Sequence, residues 1–232
     1  MEYLSNEFFL LALTFILFFG AKLLQKKTGW VVLNPILVTI ALLIVFLKAT
    51  GIKYETYNEG GHLIEFWLKP AVVALGVPLY LQLEAIRKQL LPIILSQLVG
   101  CLVGIVSVVL IAKWLGATPP IITSLAAKSV TTPIAMEVTK SVGGIPSLTA
   151  AVVVCVGLLG AVLGFKVLSI GHVGSPIAQS LSMGAASHAV GTSTAMEHGG
   201  RKYGAFASLG LTINGLFTAL LTPTVLKILG II

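Results

Sequence analysis

The chain has 232 residues, 56% hydrophobic and 10% charged, with a mean hydropathy of +1.02; a soluble domain carries about a quarter charged residues. A soluble fold of this length could not cover its surface with 15 basic and eight acidic side chains, so composition excludes the soluble enzyme classes and calls for an all-α integral membrane protein in a lipid bilayer. Every acid is Glu, which removes Asp dyads and EF-hand loops, and the net charge of +7 suits anionic lipids or small anionic solutes, not nucleic acid.

Apolar stretches run through residues 8–21, 30–47, 89–112, 145–165 and 203–226, long enough with their flanks to cross about 30 Å of hydrocarbon. A sixth, 63–83, is interrupted by Pro70 and opens with Glu65 and Lys69 one turn apart. The expectation is therefore about six transmembrane helices. Lys22, Lys26 and Lys27 follow the first stretch instead of preceding it, which reads as a retained span and not a signal peptide. That basic loop and the one at Arg87 and Lys88, against a balanced loop over 48–61, place the N-terminus outside the cytoplasmic membrane. Cys101 and Cys155 stand alone in apolar runs and read as packing residues, and the sequence carries no metal or cofactor motif.

Two remaining segments, 118–144 and 171–200, are rich in Gly, Ser, Thr and Pro yet lie between strong spans. Val130-Thr131-Thr132-Pro133-Ile134-Ala135-Met136-Glu137 aligns with Val190-Gly191-Thr192-Ser193-Thr194-Ala195-Met196-Glu197 at a constant offset of 60. The pattern predicts an internal repeat of one broken or re-entrant helical segment plus one span. As hairpins the copies have inverted topology; as single broken spans they are parallel. Residues 1–116 then form scaffold or oligomerisation helices of a homo-oligomer, and 117–232 a repeated transport core.

Lys128, Ser129, Thr131 and Thr132 beside the helix breaker Pro133 would aim a cation, hydroxyls and freed backbone donors at one spot, where an anion binds. A hydroxyl-rich break satisfying its own backbone is the competing reading. The second copy offers Ser187, His188, Gly191, Thr192 and Thr194, with His188 at the position of Lys128, and Asn214 is a polar residue within the last span. Glu137 and Glu197 occupy one repeat position and are either proton-coupling groups or solvated segment ends.

Lys128-Ser-Val-Thr-Thr-Pro-Ile-Ala-Met-Glu137, Gly143-Gly-Ile-Pro-Ser-Leu-Thr149, Ser187-His-Ala-Val-Gly-Thr192, Lys69-Pro-Ala-Val-Val-Ala-Leu-Gly-Val-Pro-Leu-Tyr80 and Leu33-Asn34-Pro35 resemble the LrgB/CidB family of bacterial membrane proteins. The resemblance covers nearly the whole chain. It implies one of two non-enzymatic roles: a carrier of small 2-hydroxy- or 2-oxomonocarboxylates such as glycolate, glycerate, lactate or pyruvate, in the manner of the plastid glycolate/glycerate relative, or an antiholin-like regulator of murein hydrolases and cell lysis. It also implies a small LrgA/CidA-type membrane partner. An Arg that family members carry shortly after the second Gly-Thr is Thr194 here, which shifts anion recognition toward Lys128 and His188. The repeated polar segments favour the carrier.

Overall fold

The computed structural model describes residues 5–29, 33, 35–74, 80 and 83–232. The expectations for Asn34, for the Glu65 and Lys69 side chains and for residues 75–79 lie outside what is described. The described residues form helices α1 (Glu7–Thr28), α2 (Pro35–Thr50), α3 (Tyr54–Ala74), α4 (Leu83–Lys88), α5 (Leu90–Trp114), α6 (Pro119–Ala126), α7 (Thr132–Ser141), α8 (Pro146–Ile170) and a helical run α9 (Pro176–Ile228). Four of these, α1, α5, α8 and α9, are long and apolar enough to cross a membrane, and α2 is a shorter apolar helix. The chain divides into two compact units, 1–76 and 77–232.

In the first unit α1 packs on α2 and α3. Asn6 caps α1 by accepting from the Phe8 and Phe9 amides at 3.0 and 3.4 Å. The helix runs beyond the expected 8–21 to Thr28, with Lys26 and Lys27 in its last turn, because Lys, Leu and Gln are good helix formers and cations suit a helix C-terminus. Helix α3 likewise begins at Tyr54, before the expected 63, and Tyr57 and Thr14 hydroxyls lie 3.1 Å apart across α1 and α3. Phe19, Leu23, Ile44 and Val45 are exposed, an apolar belt suited to lipid or to a neighbouring membrane helix and not to water.

Proline starts the helices of the second unit, at Pro119 and Pro120, Pro133, Pro146 and Pro176, where its missing N–H would have had no partner. Residues 118–144 form a hairpin. The Ile145 amide donates to Ser124 Oγ at 2.7 Å, whereas one helix through both residues would hold them about 30 Å apart. Thr149 Oγ1 closes the base, 2.9 Å from Ser124 O and 2.9 Å from Thr139 Oγ1.

Residues 171–200 also fold back. The run α9 has non-helical dihedrals at Ser187, His188 and Gly200, dividing it into α9a (176–186), α9b (189–199) and α9c (201–228). Tyr203 bonds Gln179 and Asn214 bonds Ala185, so α9c and α9a run in the same sense and α9b returns between them. Gly200, at φ 72° and ψ −158°, makes the second reversal in a region closed to other residues.

Each hairpin returns to its own side and the span after it crosses, so the two copies have inverted topology. Phe165 near the end of α8 stacks on His198 and lies 6.3 Å from Tyr203 at the start of α9c, as antiparallel spans require. The tips converge on α8: Val130 shares a buried cluster with Val153, and His188 Nε2 lies 2.9 Å from Val153 O.

Candidate functional site

A cavity of about 850 Å³ lies within the second unit, walled by α5, α8 and α9a and closed by the first hairpin's tip and by Asn214 and Thr218 of α9c. It falls in the usual size range of ligand sites. Its surface is mostly aliphatic, and its only charged group among the described residues is Lys128, with neutral polar residues such as Ser129, Ser187 and Asn214 around it.

Lys128 enters this cavity because α6 stops at Ala126 and α7 begins only at Thr132, leaving a five-residue tip. Its Nζ donates to Ser129 Oγ at 3.1 Å, and it has no carboxylate partner among the described residues. A half-buried ammonium is costly without a counter-ion, and the cavity is where an anion can supply one. Thr131 is the N-cap residue of α7 but makes no capping bond with its side chain, so the first amides of that helix point toward the tip with their positive dipole end.

The structure brings together only some of the residues singled out in the sequence. Lys128, Ser129, Ser187 and Asn214 line the cavity; Thr131, Thr132 and Pro133 form the start of α7 beside it. His188 does not line it. It is buried, its Nε2 donates to the Val153 carbonyl at 2.9 Å, and its backbone sits at φ 44° and ψ −134°, an uncommon conformation for a residue with a Cβ. Thr192 and Thr194 return their hydroxyls to the carbonyls of His188 and Val190, the self-satisfying use of a helical hydroxyl. Gly191 lies against Met183 O and the Ser187 side chain in the fold of the hairpin. Glu137 and Glu197 lie on exposed faces of α7 and α9b and outside the cavity.

Two sets of small residues that look alike in sequence behave differently. Gly157 and Gly160 of α8 have no room for a Cβ, which would meet His188 and Ser187 respectively; they are the surface on which the second hairpin tip rests, Gly160 at the edge of the cavity. Gly100 and Gly104 of α5 face open space and line the cavity.

Sequence reasoning passed over Gln97, which is 4% exposed and lines the cavity. It is the carboxamide in the buried stripe Ile93, Gln97, Cys101, Ile105, Val109, Ala112 of α5, and its Oε1 is buried with no hydrogen-bond partner. Leaving such an acceptor unpaired costs about 1–3 kcal/mol. The signal was one amide at helical spacing in an otherwise apolar face. Ser124, Thr139 and Thr149 were also missed as a set, since they meet only once the hairpin closes. Among the described residues no three His, Cys, Asp or Glu side chains come together, so the recognition chemistry available here is one ammonium, hydroxyls, amides and helix-end donors.

The LrgB-like family model matches residues 14–228. The chain is 37% identical over 217 residues to the uncharacterized protein YwbG of Bacillus subtilis (strain 168), covering 94% of this chain and 96% of that one. It is 33% identical over 211 residues to the antiholin-like protein LrgB of Bacillus mycoides (strain KBAB4), covering 91% of each, with the same figures for that of Bacillus cereus (strain B4264). No solved structure matches the chain. Sequence, helices and family agree: this is a multi-pass membrane protein that belongs to the LrgB-like family.

Proposed function

We propose that the protein is a carrier of small anionic metabolites, of the monocarboxylate class, whose site is the cavity beneath the first hairpin tip. The observation that carries this reading is Lys128, at the tip of one of two inverted re-entrant hairpins, lining a cavity of about 850 Å³ with no carboxylate partner among the described residues. Broken helices meeting inside an inverted repeat are the architecture of secondary transporters. In the same proposal residues 117–232 form the transport core, 1–116 a scaffold for a homo-oligomer, and Glu137 and Glu197 couple flux to protons from outside the cavity. The N-terminus lies outside the cytoplasmic membrane, and a small LrgA/CidA-type subunit is the partner.

A second reading is an antiholin-like regulator of murein hydrolase activity and lysis. The relatives' names favour it, since those of Bacillus mycoides and Bacillus cereus are called antiholin-like proteins, and by name it is better supported than a monocarboxylate carrier. Proteoliposomes separate the two. A carrier gives saturable, stereoselective uptake of labelled glycolate, glycerate, lactate or pyruvate with no leakage of a trapped dye. Unselective dye release, or no flux either alone or with the partner subunit, overturns the carrier reading.

A further inference from the structure

The cavity is far larger than an acid of two or three carbons, and it has the shape of a shaft. It follows α5 from Gln89 to Ile105, α8 from Leu168 back to Val156 and α9a from Ser175 to Ser187, which at 1.5 Å per residue is about 18–24 Å along the helices. Packing fixes which ends meet. Ile93 clusters with Leu181, Gly164 and Gly160 lie against Met183 and Ser187, and Ala126 shares a core with Cys101 and Ile105. One end of the shaft therefore reaches the start of α5 and α9a and the end of α8, at one face of the membrane. The other stops at mid-span, at the first hairpin's tip with Lys128. The stretch between is lined by Ile93, Gly100, Leu163, Ala178 and Leu181, and Ser96 there returns its hydroxyl to Ile93 O. A two- or three-carbon acid fills roughly 100 Å³, the share of three or four waters, against about 850 Å³ for the cavity. Water in the remainder finds few partners along aliphatic walls, whereas a hydrocarbon chain gains by leaving water.

We propose that the shaft holds the hydrocarbon body of an amphipathic ligand whose carboxylate sits at Lys128, so that the site takes aliphatic monocarboxylates of about four to six carbons in preference to acids of two or three. This rests on the carrier reading for the anion at the tip and adds the apolar body above it. Head and body are then recognised by different walls. Lys128 sets the affinity common to all such acids, and the aliphatic stretch around Gly100 sets how affinity grows with chain length.

The test is calorimetric titration of the purified protein in detergent with acetate, propionate, butyrate, pentanoate and hexanoate, with protein-free micelles as the blank. Binding is measured and not flux, because the neutral forms of these acids cross a bilayer unaided. The wild-type Kd is expected to fall about threefold for each added methylene. Lys128→Ala should weaken every acid by a common factor and keep that slope. Gly100→Leu, whose Cβ meets nothing within 4 Å, should fill the shaft and flatten the series from butyrate onward, and Gly100→Ala should flatten it in part. Elution and thermal unfolding identify a variant that has not folded; if Gly100→Leu is one, Gly100→Ala carries the comparison. Wild-type Kd values within about twofold across the series, or a slope unchanged when Gly100 is enlarged, overturn the proposal. A flat series in a protein that takes up glycolate or lactate in proteoliposomes overturns it and leaves the carrier reading standing. A Gly100-dependent slope in a protein that takes up none of those acids supports it and removes the carrier. Failure of every acid to bind overturns both.

Discussion

The two hairpins descend from one repeated sequence and differ where it matters. Both break at equivalent positions, Lys128 in the first and His188 in the second, 60 residues apart. The first opens into a five-residue tip that leaves Lys128 with a single bond to the neighbouring serine. The second turns through Ser187 and His188, the latter at positive φ, and commits His188 to the Val153 carbonyl. One tip presents a cation to a cavity and the other holds the first span of the repeat in place. A repeat can therefore supply symmetric architecture while the cation of the site comes from one copy and the other contributes only neutral groups, such as Ser187 and Asn214, to the wall.

The largest effect is expected from the presenting tip. Lys128→Ala should lower substrate affinity about 10- to 100-fold, the range for losing a charged hydrogen bond, while thermal unfolding in detergent stays within about 1 kcal/mol of wild type because Lys128 holds little but Ser129. Lys128→Arg should also be impaired, as a planar fork does not replace a compact ammonium. Normal binding by Lys128→Ala would make the two tips alike and remove the site.

Next come the glycines that separate the cavity side from the packing side. Gly104→Leu should block uptake with little change in thermal stability, since a Cβ there meets nothing within 4 Å. Gly157→Ala should do the reverse, destabilising by about 1–3 kcal/mol through overpacking against His188. If Gly104→Leu transports normally, the cavity is not the route.

A smaller effect on transport is expected at the holding tip. His188→Ala should destabilise by about 1–3 kcal/mol, from the lost hydrogen bond and ring contacts, with KM nearly unchanged. His188→Gly should recover part of that, because glycine adopts the positive φ of 44° without penalty. A rise in KM without loss of stability would return His188 to the site.

Much of this was legible in the sequence, and the failures have one cause. Spans follow from apolar runs, and the offset of 60 between the two Ala-Met-Glu triplets located both hairpins. The span ends were missed in α1 and α3 because helix formers continue past the apolar run. The site was harder: residue type says what a side chain can do, and only packing says whether the backbone has already claimed it. Thr192 and Thr194 have the hydroxyls of a binding site but give them to their own helix. Gln97 sits in a run that reads as plain span, and its burial shows only once α5 is packed.

The two glutamates test how far the symmetry extends. Glu137 and Glu197 share a repeat position, and both are exposed and outside the cavity, so here the two hairpins are alike. Neither carboxylate is enclosed by protein or by the cavity, so nothing in the packing requires that each be neutralised during the cycle. What supports a coupling role is their equivalence alone. Since neither touches the cavity, Glu137→Gln and Glu197→Gln should leave the KM for substrate exchange within about twofold of wild type, the scatter expected of a surface substitution. If they couple flux to protons, each should abolish accumulation driven by an imposed proton gradient while exchange continues, and the two variants should resemble one another. Full gradient-driven accumulation in both would make them solvated ends of their helices. Loss in one alone would extend to the glutamates the asymmetry already seen between Lys128 and His188.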